Sequence, residues 1–301
     1  MSQNAVVVLG GSGLVGSRVL ELWAEQAGLT LIAPTHADLD VLDADALSTF
    51  LRETHAPAVL NLAAWVDVDA AEAERGDAHG RVHALNAAHP QRLAGLCREL
   101  GQYLMHVSTD YVFDGTSADR PYREGDPTNP LGWYAHTKHQ GEESVLNSGA
   151  MACVVRIEMP FGARAHPRSD FARICLRRLQ AGEKILGVQD QRITPVFLDD
   201  VADALRLIGA KRFTGIVHVA SAGWTTPYGF ALAIAQRLGF DAELVVPKRF
   251  ERFATTRAAR RPQHSWLDVS RFADVFGGDV LRSPEAQLDA WVNQLATVAP
   301  S

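Results

Sequence analysis

The chain has few cysteines, no excess of positive charge and no long apolar run. Its 301 residues include 3 cysteines, and its 29 Lys and Arg residues are outnumbered by 35 Asp and Glu residues. The cysteines, Cys97, Cys153 and Cys175, lie far apart and match neither a disulfide framework nor the ligand spacing of a zinc site. The net charge of -6 gives no electrostatic reason to expect nucleic acid or an anionic membrane as a partner.

The apolar stretch nearest the N-terminus is also short. It runs from Ala5 to Leu9, follows no basic segment and ends at a glycine pair, so it is too short for a signal-peptide core or a membrane span. Hydrophobic residues make up 47% of the chain and charged residues 21%, a balance typical of a protein that buries a full core. We therefore expect a cytoplasmic protein with no membrane segment.

Short apolar runs alternate with longer helical patterns through the first half of the chain. "AVVVLG", "LTLIAP" and "AVLNLAA" have the composition of buried strands, and the stretches between them have helical periodicity. This alternation predicts an α/β fold, a doubly wound parallel (Rossmann) sheet with a smaller C-terminal substrate lobe. We predict a dinucleotide-binding domain over residues 1–160, completed by roughly 190–220, and a substrate-binding lobe over 161–189 and 221–301.

A glycine-rich turn follows the first predicted strand. "LGGSGLVGSRV" places Gly10, Gly13 and Gly16 in a G-x-x-G-x-x-G pattern between a strand and a helix. Glycines let the backbone turn tightly and approach a pyrophosphate, and the N–H groups at a helix N-terminus bind phosphate. We expect a dinucleotide cofactor here, with Leu14 and Val15 in the first helical turn also in contact with it. The alternative is a glycine-rich turn without a ligand.

The end of the second strand bears on the choice between NADP and NAD. An acidic residue at this point would accept a hydrogen bond from the ribose 2′-OH of NAD. "APTHADLD" has no acid before Asp38, so a 2′-phosphate is not repelled, although no arginine is there to bind it. The sequence favours NADP(H) and leaves NAD(H) open. We expect Asp40 and Val41 to border the adenine, although Asp40 could equally cap the next helix.

"WYAHTKHQGEES" places Tyr134 and Lys138 four residues apart, on one face of a predicted helix. An ammonium close to a phenol favours the phenolate and lowers the pKa of tyrosine from about 10, so Tyr134 is a candidate proton donor to a carbonyl. Ser108 and Thr109 end a predicted strand, where ligands bind in open α/β sheets. We expect Thr109 to bond the same carbonyl oxygen; the alternative is a local turn or cap.

The glycine spacing resembles the short-chain dehydrogenase/reductase superfamily, and longer segments resemble one branch of it. "VLNLAAWVDVDAAE", "MHVSTDYVFDGT", "YREGDPTNPLGWYAHTKHQGEE", "GVQDQRITPVFLDDVADAL" and "RRPQHSWLDVSRF" are similar, in this order, to dTDP-4-dehydrorhamnose reductases. The resemblance implies an NAD(P)H-dependent reductase of a nucleotide-linked 4-keto sugar, with Thr109, Tyr134 and Lys138 as catalytic residues. Lys138 would also hold the nicotinamide ribose, and Tyr134, Ala63 and Ala64 would contact the cofactor.

Some positions depart from that family's pattern. "RIEMPFG" keeps Arg156 and the final Phe-Gly pair but has Glu158, Met159 and Pro160 between them, and Gly132-Trp133 stands where the family usually has Asn. We expect the substrate preference to depend on Gly132, Trp133 and Met159. The predicted substrate contacts are Thr109, Asp110, Met159 and Arg261.

These departures leave two alternatives open. One is another sugar-nucleotide ketoreductase or epimerase. The other is a cofactor-binding regulatory subunit without turnover, since the regulatory subunit of methionine adenosyltransferase resembles this family. A nucleotide sugar is the partner that the resemblance implies, and a homodimer is compatible with it.

Two basic tracts, "RAHPRS" and "RFERFATTRAARRP", stand out in an acidic chain. They are either solvated surface or, through Arg257, Arg260 and Arg261, a clamp for a diphosphate, which guanidinium groups bind in a bidentate manner. Asp69 and Glu72 are expected to be solvated helix residues. The 11 histidines show no metal-binding spacing, so we expect no metal.

Overall fold

Runs of aliphatic and β-branched residues form the strands of a central sheet. The computed structural model describes residues 4–297. Six of its ten strands form one parallel sheet in the order β2-β1-β3-β4-β5-β9. The strands are β1 (Ala5–Leu9), β2 (Thr30–Ile32), β3 (Ala58–Asn61), β4 (Tyr103–Thr109), β5 (Ala152–Ile157), β6 (Pro160–Phe161), β7 (Ile185–Val188), β8 (Val196–Phe197), β9 (Gly215–Val219) and β10 (Val245–Lys248).

Helices connect the strands and cover the sheet. They are α1 (Leu14–Ala24), α2 (Ala44–Thr54), α3 (Arg81–His83), α4 (His89–Leu100), α5 (Trp133–Leu146), α6 (Phe171–Gln180), α7 (Leu198–Lys211), α8 (Pro227–Arg237), α9 (Phe250–Ala254), α10 (Ser270–Phe276) and α11 (Pro284–Thr297). Within residues 4–297, no helix combines the length and apolar character needed to cross a lipid bilayer.

Both faces of the sheet are covered by helices. Val8 of β1 and Val155 of β5 pack on one side with residues of α1 and α7, whereas Val7 and Val154 pack on the other side with residues of α2 and α4. Successive strand residues point to opposite faces, so a strand covered on both sides has a continuous apolar sequence. The predicted doubly wound α/β fold is confirmed.

The C-terminal half adds a smaller lobe with its own core. Phe161, Phe197, Phe230 and Trp291 are fully buried there, among residues of α6, α8 and α11. Two short parallel pairs, β7 with β10 and β6 with β8, lie outside the main sheet. The sixth strand of the sheet, β9, lies in the segment predicted to complete it, while the residue boundaries of the two lobes stay a prediction.

A single π-helical turn, Ala84–Ala88, joins α3 to α4. Its Asn86 side chain accepts a hydrogen bond from the backbone N–H of Trp65 at 2.9 Å and donates to the Trp65 carbonyl at 3.1 Å. The same turn meets α5 at Gly141, where a Cβ atom would lie 2.2 Å from the Asn86 carbonyl oxygen. Glycine is therefore required at this contact, and the contact fixes α5 against the loop that follows β3.

Candidate active site

A cavity of about 730 Å³ opens at the carboxyl ends of β1, β3, β4 and β5. Ligands bind at this edge in open α/β sheets because the connecting loops separate there. Twelve of the predicted site residues line the cavity, namely Gly10, Gly13, Leu14, Val15, Gly16, Ala63, Ala64, Thr109, Asp110, Tyr134, Lys138 and Met159. The structure thus brings the glycine turn, the end of β4 and the start of α5 to one place.

The backbone of the glycine turn has no room for side chains. Gly10 has a φ of +81°, and a Cβ atom on it would lie 2.6 Å from the backbone nitrogen of Ala63. Helix α1 starts directly after Gly13, which supplies no side-chain cap. The first N–H groups of the helix, on Leu14 and Val15, therefore face the cavity region without a capping side chain. These features fit a dinucleotide pyrophosphate.

We expect Gly16→Ala to weaken dinucleotide binding about 10-fold or more, because the added Cβ would lie 2.4 Å from the Gly10 carbonyl oxygen. The turn would have to move away from the helix. NADPH binding measured by fluorescence titration tests this. The matched control is Gly95→Ala in α4, where a Cβ meets nothing within 4 Å. Equal affinity of both variants for NADPH would contradict the expectation.

A carboxylate stands near the end of β2 after all. Asp38 turns back so that its Oδ2 accepts hydrogen bonds from the Thr35 backbone N–H at 2.9 Å and the Thr35 hydroxyl at 2.7 Å. The preference for NADP rests on the absence of an acidic residue between the end of β2 and Asp38. Because the Asp38 carboxylate folds back toward the strand, the preference for NADP over NAD is weaker than the linear sequence suggests.

Asp40 does not cap the next helix. Its Oδ1 accepts from the backbone N–H of Leu42 at 3.0 Å, and the N-cap of α2 is Asp43, whose side chain accepts from two N–H groups of the first turn. The capping alternative for Asp40 is therefore wrong. Asp40 and Val41 lie outside the residues that line the cavity. Their contact with adenine stays a prediction.

Thr109, Tyr134 and Lys138 all line the cavity, and each is almost fully buried. The Thr109 hydroxyl donates to Oδ1 of Asp110 at 3.0 Å and accepts from the backbone N–H of Tyr111 at 3.2 Å. The Tyr111 and Tyr134 rings meet edge to face, with centroids 6.1 Å apart. The local cap weighed for Thr109 is therefore present, and its catalytic role stays a prediction.

The prediction that Lys138 lowers the pKa of Tyr134 is wrong. Burial raises the pKa of Tyr134 to about 12, against the opposing influence of the Thr109 hydroxyl and the Arg168 charge. Lys138 instead donates a hydrogen bond from Nζ to the Val107 carbonyl at 2.7 Å. The phenol therefore stays protonated at neutral pH, which is the state that a proton donor needs.

Burial also acts on Lys138 and lowers its pKa to about 8 from the usual 10.5. Below pH 8 the folded protein bears the cost of a buried charge. Between pH 8 and 10.5 the unfolded chain binds the extra proton, so stability rises with pH over this window. The unfolding free energy of wild type minus that of Lys138→Met should rise by up to about 3 kcal/mol across it.

Urea unfolding of both proteins at several pH values measures that difference, in which other titrating groups cancel. The loss of the hydrogen bond to Val107 adds a constant offset and no slope. A difference that stays flat or falls between pH 8 and 10.5 would show that the Lys138 ammonium is not destabilised by burial.

The residues that depart from the family pattern lie in different places, and not all of them line the cavity. Met159 lines the cavity and has a φ of +40°, a left-handed conformation that is unusual for a residue with a side chain. Glu158 is fully buried beneath it. Trp133 stacks on His136 with ring centroids 5.5 Å apart. Neither Gly132 nor Trp133 lines the cavity, so only Met159 of the three residues expected to govern substrate preference lies at the site.

Asp69 and Glu72, expected to be solvated, join separate parts of the chain. Glu72 Oε1 accepts from the backbone N–H of Trp133 at 2.6 Å, at the start of α5. Asp69 Oδ1 accepts from the Ala259 N–H at 3.0 Å, and its carboxylate pairs with Arg261 at 2.9 Å. The expectation that these two side chains are solvated is therefore wrong. Their partners are remote in sequence, so no local pattern indicates these contacts.

The arginines of the second basic tract surround Asp69 rather than the cavity. Arg257 lies 3.7 Å from Asp69, and the Arg261 guanidinium also lies over the Tyr111 ring, 5.9 Å from its centroid. Arg260 is exposed. The three arginines lie outside the residues that line the cavity. The diphosphate clamp, and the substrate contact of Arg261, stay predictions.

The first basic tract lies against the glycine turn, a position that sequence analysis missed. His166 Nε2 is 3.1 Å from the carbonyl oxygen of Ser12, and Arg164 pairs with Glu21 of α1. Arg168 is exposed and lines the cavity. The positive charge of this tract in an acidic chain is the signal that sequence offers. Composition alone does not indicate which of the two basic tracts lies at the cavity.

Within residues 4–297, no group of three or more His, Cys, Asp and Glu side chains is arranged to hold a metal ion. His139 Nε2 instead lies 2.7 Å from the Thr128 hydroxyl. The three cysteines are free and buried.

Comparison with known proteins agrees with this architecture. A curated dTDP-4-dehydrorhamnose reductase from Mycolicibacterium smegmatis is 36% identical over 270 residues, which cover 89% of this chain and 79% of the relative. A probable dTDP-4,6-dihydroxy-2-methyloxan-3-one 4-ketoreductase from Streptomyces antibioticus is 34% identical over 268 residues, or 88% of this chain and 87% of that protein.

The same likeness extends to solved structures. The crystal structure of a dTDP-4-dehydrorhamnose reductase from Clostridium acetobutylicum superposes with a TM-score of 0.87 at 27% identity, covering 97% of this chain and 99% of that one. The family model described as the RmlD substrate binding domain matches residues 4–297. The resemblance noted in the sequence is thereby confirmed, and the chain belongs to the RmlD substrate binding domain family.

Proposed function

We propose that the protein is an NAD(P)H-dependent reductase of a nucleotide-linked 4-keto sugar. The observation that carries this proposal is the meeting of Thr109, Tyr134 and Lys138 with the glycine turn in one cavity. A hydroxyl, a protonated phenol and an amine beside a dinucleotide site are the groups that carbonyl reduction requires. The names of the relatives, which include reductases of different dTDP-linked keto sugars, support the substrate class.

A bound NAD(P)H supplies the hydride for the carbonyl carbon. Gly10, Gly13 and the first turn of α1 would hold its pyrophosphate. Tyr134 donates its phenolic proton to the carbonyl oxygen, and Thr109 orients that oxygen through its hydroxyl. Lys138 would hold the nicotinamide ribose, as the resemblance to the family implies.

The substrate would lie between the end of β4 and the turn after β5. Asp110 and Met159 line this part of the cavity, and Arg168 is the guanidinium that lines it. Guanidinium groups bind diphosphates in a bidentate manner. We therefore assign a diphosphate contact to Arg168 rather than to Arg257, Arg260 and Arg261, which do not line the cavity.

The test is an absorbance assay of the purified protein with NADPH or NADH and a panel of nucleotide-linked 4-keto sugars. Oxidation of cofactor that depends on the sugar supports the proposal, and the product's configuration separates reductase from epimerase. Tight binding of cofactor without turnover of any sugar would favour the regulatory alternative. Comparison of NADPH with NADH settles the cofactor preference that Asp38 leaves open.

A further inference from the structure

Two carboxyl groups are buried together beneath the cavity. Asp110 is 3% exposed and Glu158 0% exposed. Among the residues from 4 to 297, no Lys, Arg or His forms an ion pair with either of them. The negative charge of Glu158 acts directly on Asp110. Two anions in a buried site without a cation are very costly, so the pair must hold a proton.

The hydrogen bonds decide which of the two groups is the anion. Glu158 Oε1 accepts from the Ser265 hydroxyl at 2.8 Å, and its Oε2 accepts from the Thr194 N–H at 2.7 Å and from the Thr194 hydroxyl. Asp110 accepts at Oδ1 from the Thr109 hydroxyl, whereas its buried Oδ2 has no hydrogen-bond partner. The Ser265 hydroxyl also acts on Asp110, but its single proton is donated to Glu158 at 2.8 Å. Hydrogen bonds donated to a carboxylate favour its charged form. Glu158 is therefore the anion and Asp110 the acid.

The pKa of both groups is raised, as expected of a buried pair that holds one proton. Burial, followed by the charge of Glu158, raises the pKa of Asp110 well above its usual value. Burial raises the pKa of Glu158 to about 7, while the hydroxyl groups of Thr194 and Ser265 oppose the rise.

We propose that Glu158 keeps Asp110 a neutral carboxylic acid, whose hydroxyl donates a hydrogen bond to an acceptor oxygen of the sugar. Asp110 lines the substrate side of the cavity, and its Oδ2 is buried without a hydrogen-bond partner in the protein, so rotation of the carboxyl group about its Cβ–Cγ bond would be needed to turn that atom toward the sugar. A carboxylic acid donates where a carboxylate can only accept. The inference rests on the proposed function. Glu158 acts through Asp110 and is a positioning residue.

This arrangement constrains the substrate. Beside the reacting carbonyl, the sugar should present a carbonyl or ether oxygen, or a hydroxyl that accepts rather than donates. Glu158 is thus a determinant of specificity that does not itself touch the cavity.

Other charged groups near the pair keep their charge state through neutral pH. Burial raises the pKa of both neighbouring tyrosines, Tyr111 and Tyr134, so both stay neutral. Arg261 lies over Tyr111 and Arg168 acts on Tyr134, and arginine stays charged. Lys138 is the exception, because it lines the same cavity and has a pKa of about 8. A pH effect at this site is therefore assigned to the Asp110–Glu158 pair only where Glu158→Gln shifts it.

Steady-state kinetics with the accepted sugar separates donor from acceptor. If Asp110 is a donor, Asp110→Asn keeps an N–H donor in its place, so its KM should rise clearly less than that of Asp110→Ala, which keeps no polar group there. In wild type, KM should rise at high pH as Asp110 ionises. In Glu158→Gln the same rise should begin at least about one pH unit lower, since the raising charge is gone. Asp110→Asn should show no such rise.

A KM for Asp110→Asn more than about 100-fold above wild type would overturn the donor role, because that result requires a carboxylate. An unchanged pH profile in Glu158→Gln would overturn the role of Glu158. Thermal melts of both variants show whether each is folded, and the double variant Asp110→Asn/Glu158→Gln should match Asp110→Asn alone in its pH profile.

Infrared difference spectroscopy of the free enzyme tests the protonation state without any turnover. A carbonyl-stretch band of a protonated carboxyl should be present at pH 7 in wild type and weaker in Asp110→Asn, where Glu158, with a pKa of about 7, still contributes part of it. Absence of that band in wild type overturns the inference, whatever the enzyme reduces. If instead the band is present and no keto sugar is reduced, the proposed function fails while the neutral Asp110 stands.

Discussion

Replacing Tyr134 with Phe should lower kcat about 10²–10⁴-fold, the range in which a positioned proton donor contributes to a reaction. The phenol is 8% exposed and protonated at neutral pH, so its hydroxyl is the acid that would protonate the carbonyl oxygen. Phe keeps the ring and its edge-to-face contact with Tyr111. The change therefore removes the proton and leaves the packing.

Two further measurements isolate the chemical step. Affinity for NADPH, followed by fluorescence, should change little in Tyr134→Phe. A matched control is Tyr122→Phe, which also removes a phenolic hydroxyl but one bonded to Asp114 in the loop before α5, away from the cavity lining. Full activity of Tyr134→Phe would mean that another group donates the proton and that the assignment is wrong.

Glu142→Ala should destabilise the protein by about 3–5 kcal/mol, the cost of leaving a buried charge without its partner. Arg156 of β5 and Glu142 of α5 are 2% and 1% exposed, and their closest atoms are 2.7 Å apart. The Arg156 guanidinium also lies over the Phe113 ring, 5.0 Å from its centroid. Without Glu142, the Arg156 guanidinium is a buried charge that has lost its ion-pair partner.

Urea unfolding at neutral pH provides the measurement and the control. Glu99→Ala breaks the exposed Arg52–Glu99 pair and should change stability by less than about 1 kcal/mol. The double variant Glu142→Leu/Arg156→Met should recover most of the loss, because apolar residues of similar size replace a buried ion pair without a stranded charge. A Glu142→Ala protein as stable as wild type would contradict this account.

The fold could be predicted from sequence because its determinants are local. Segments of about ten residues are enough to predict strands β1 and β3 from their apolar runs, and the turn after β1 from its glycines. Tyr134 and Lys138 share a helix face through a spacing that any helix imposes. These elements were placed without reference to remote contacts.

The parts that sequence analysis missed depend on partners far along the chain. Asp69 meets Ala259, and Glu158 meets Ser265; neither pairing has a local pattern. The pKa of Tyr134 was expected to fall because a nearby charge is visible in the sequence, whereas burial, which raises it, is a property of the folded protein.

The π-helical turn Ala84–Ala88 sets a limit on how related sequences can vary in length. An α-helix of the same segment would be about one residue shorter, and a single deletion there would rotate the following residues by about 100°. Asn86 would leave the loop after β3, and its carbonyl would no longer face Gly141 on the helix that carries Tyr134 and Lys138. We therefore expect functional homologues to tolerate substitutions in this segment far better than insertions or deletions.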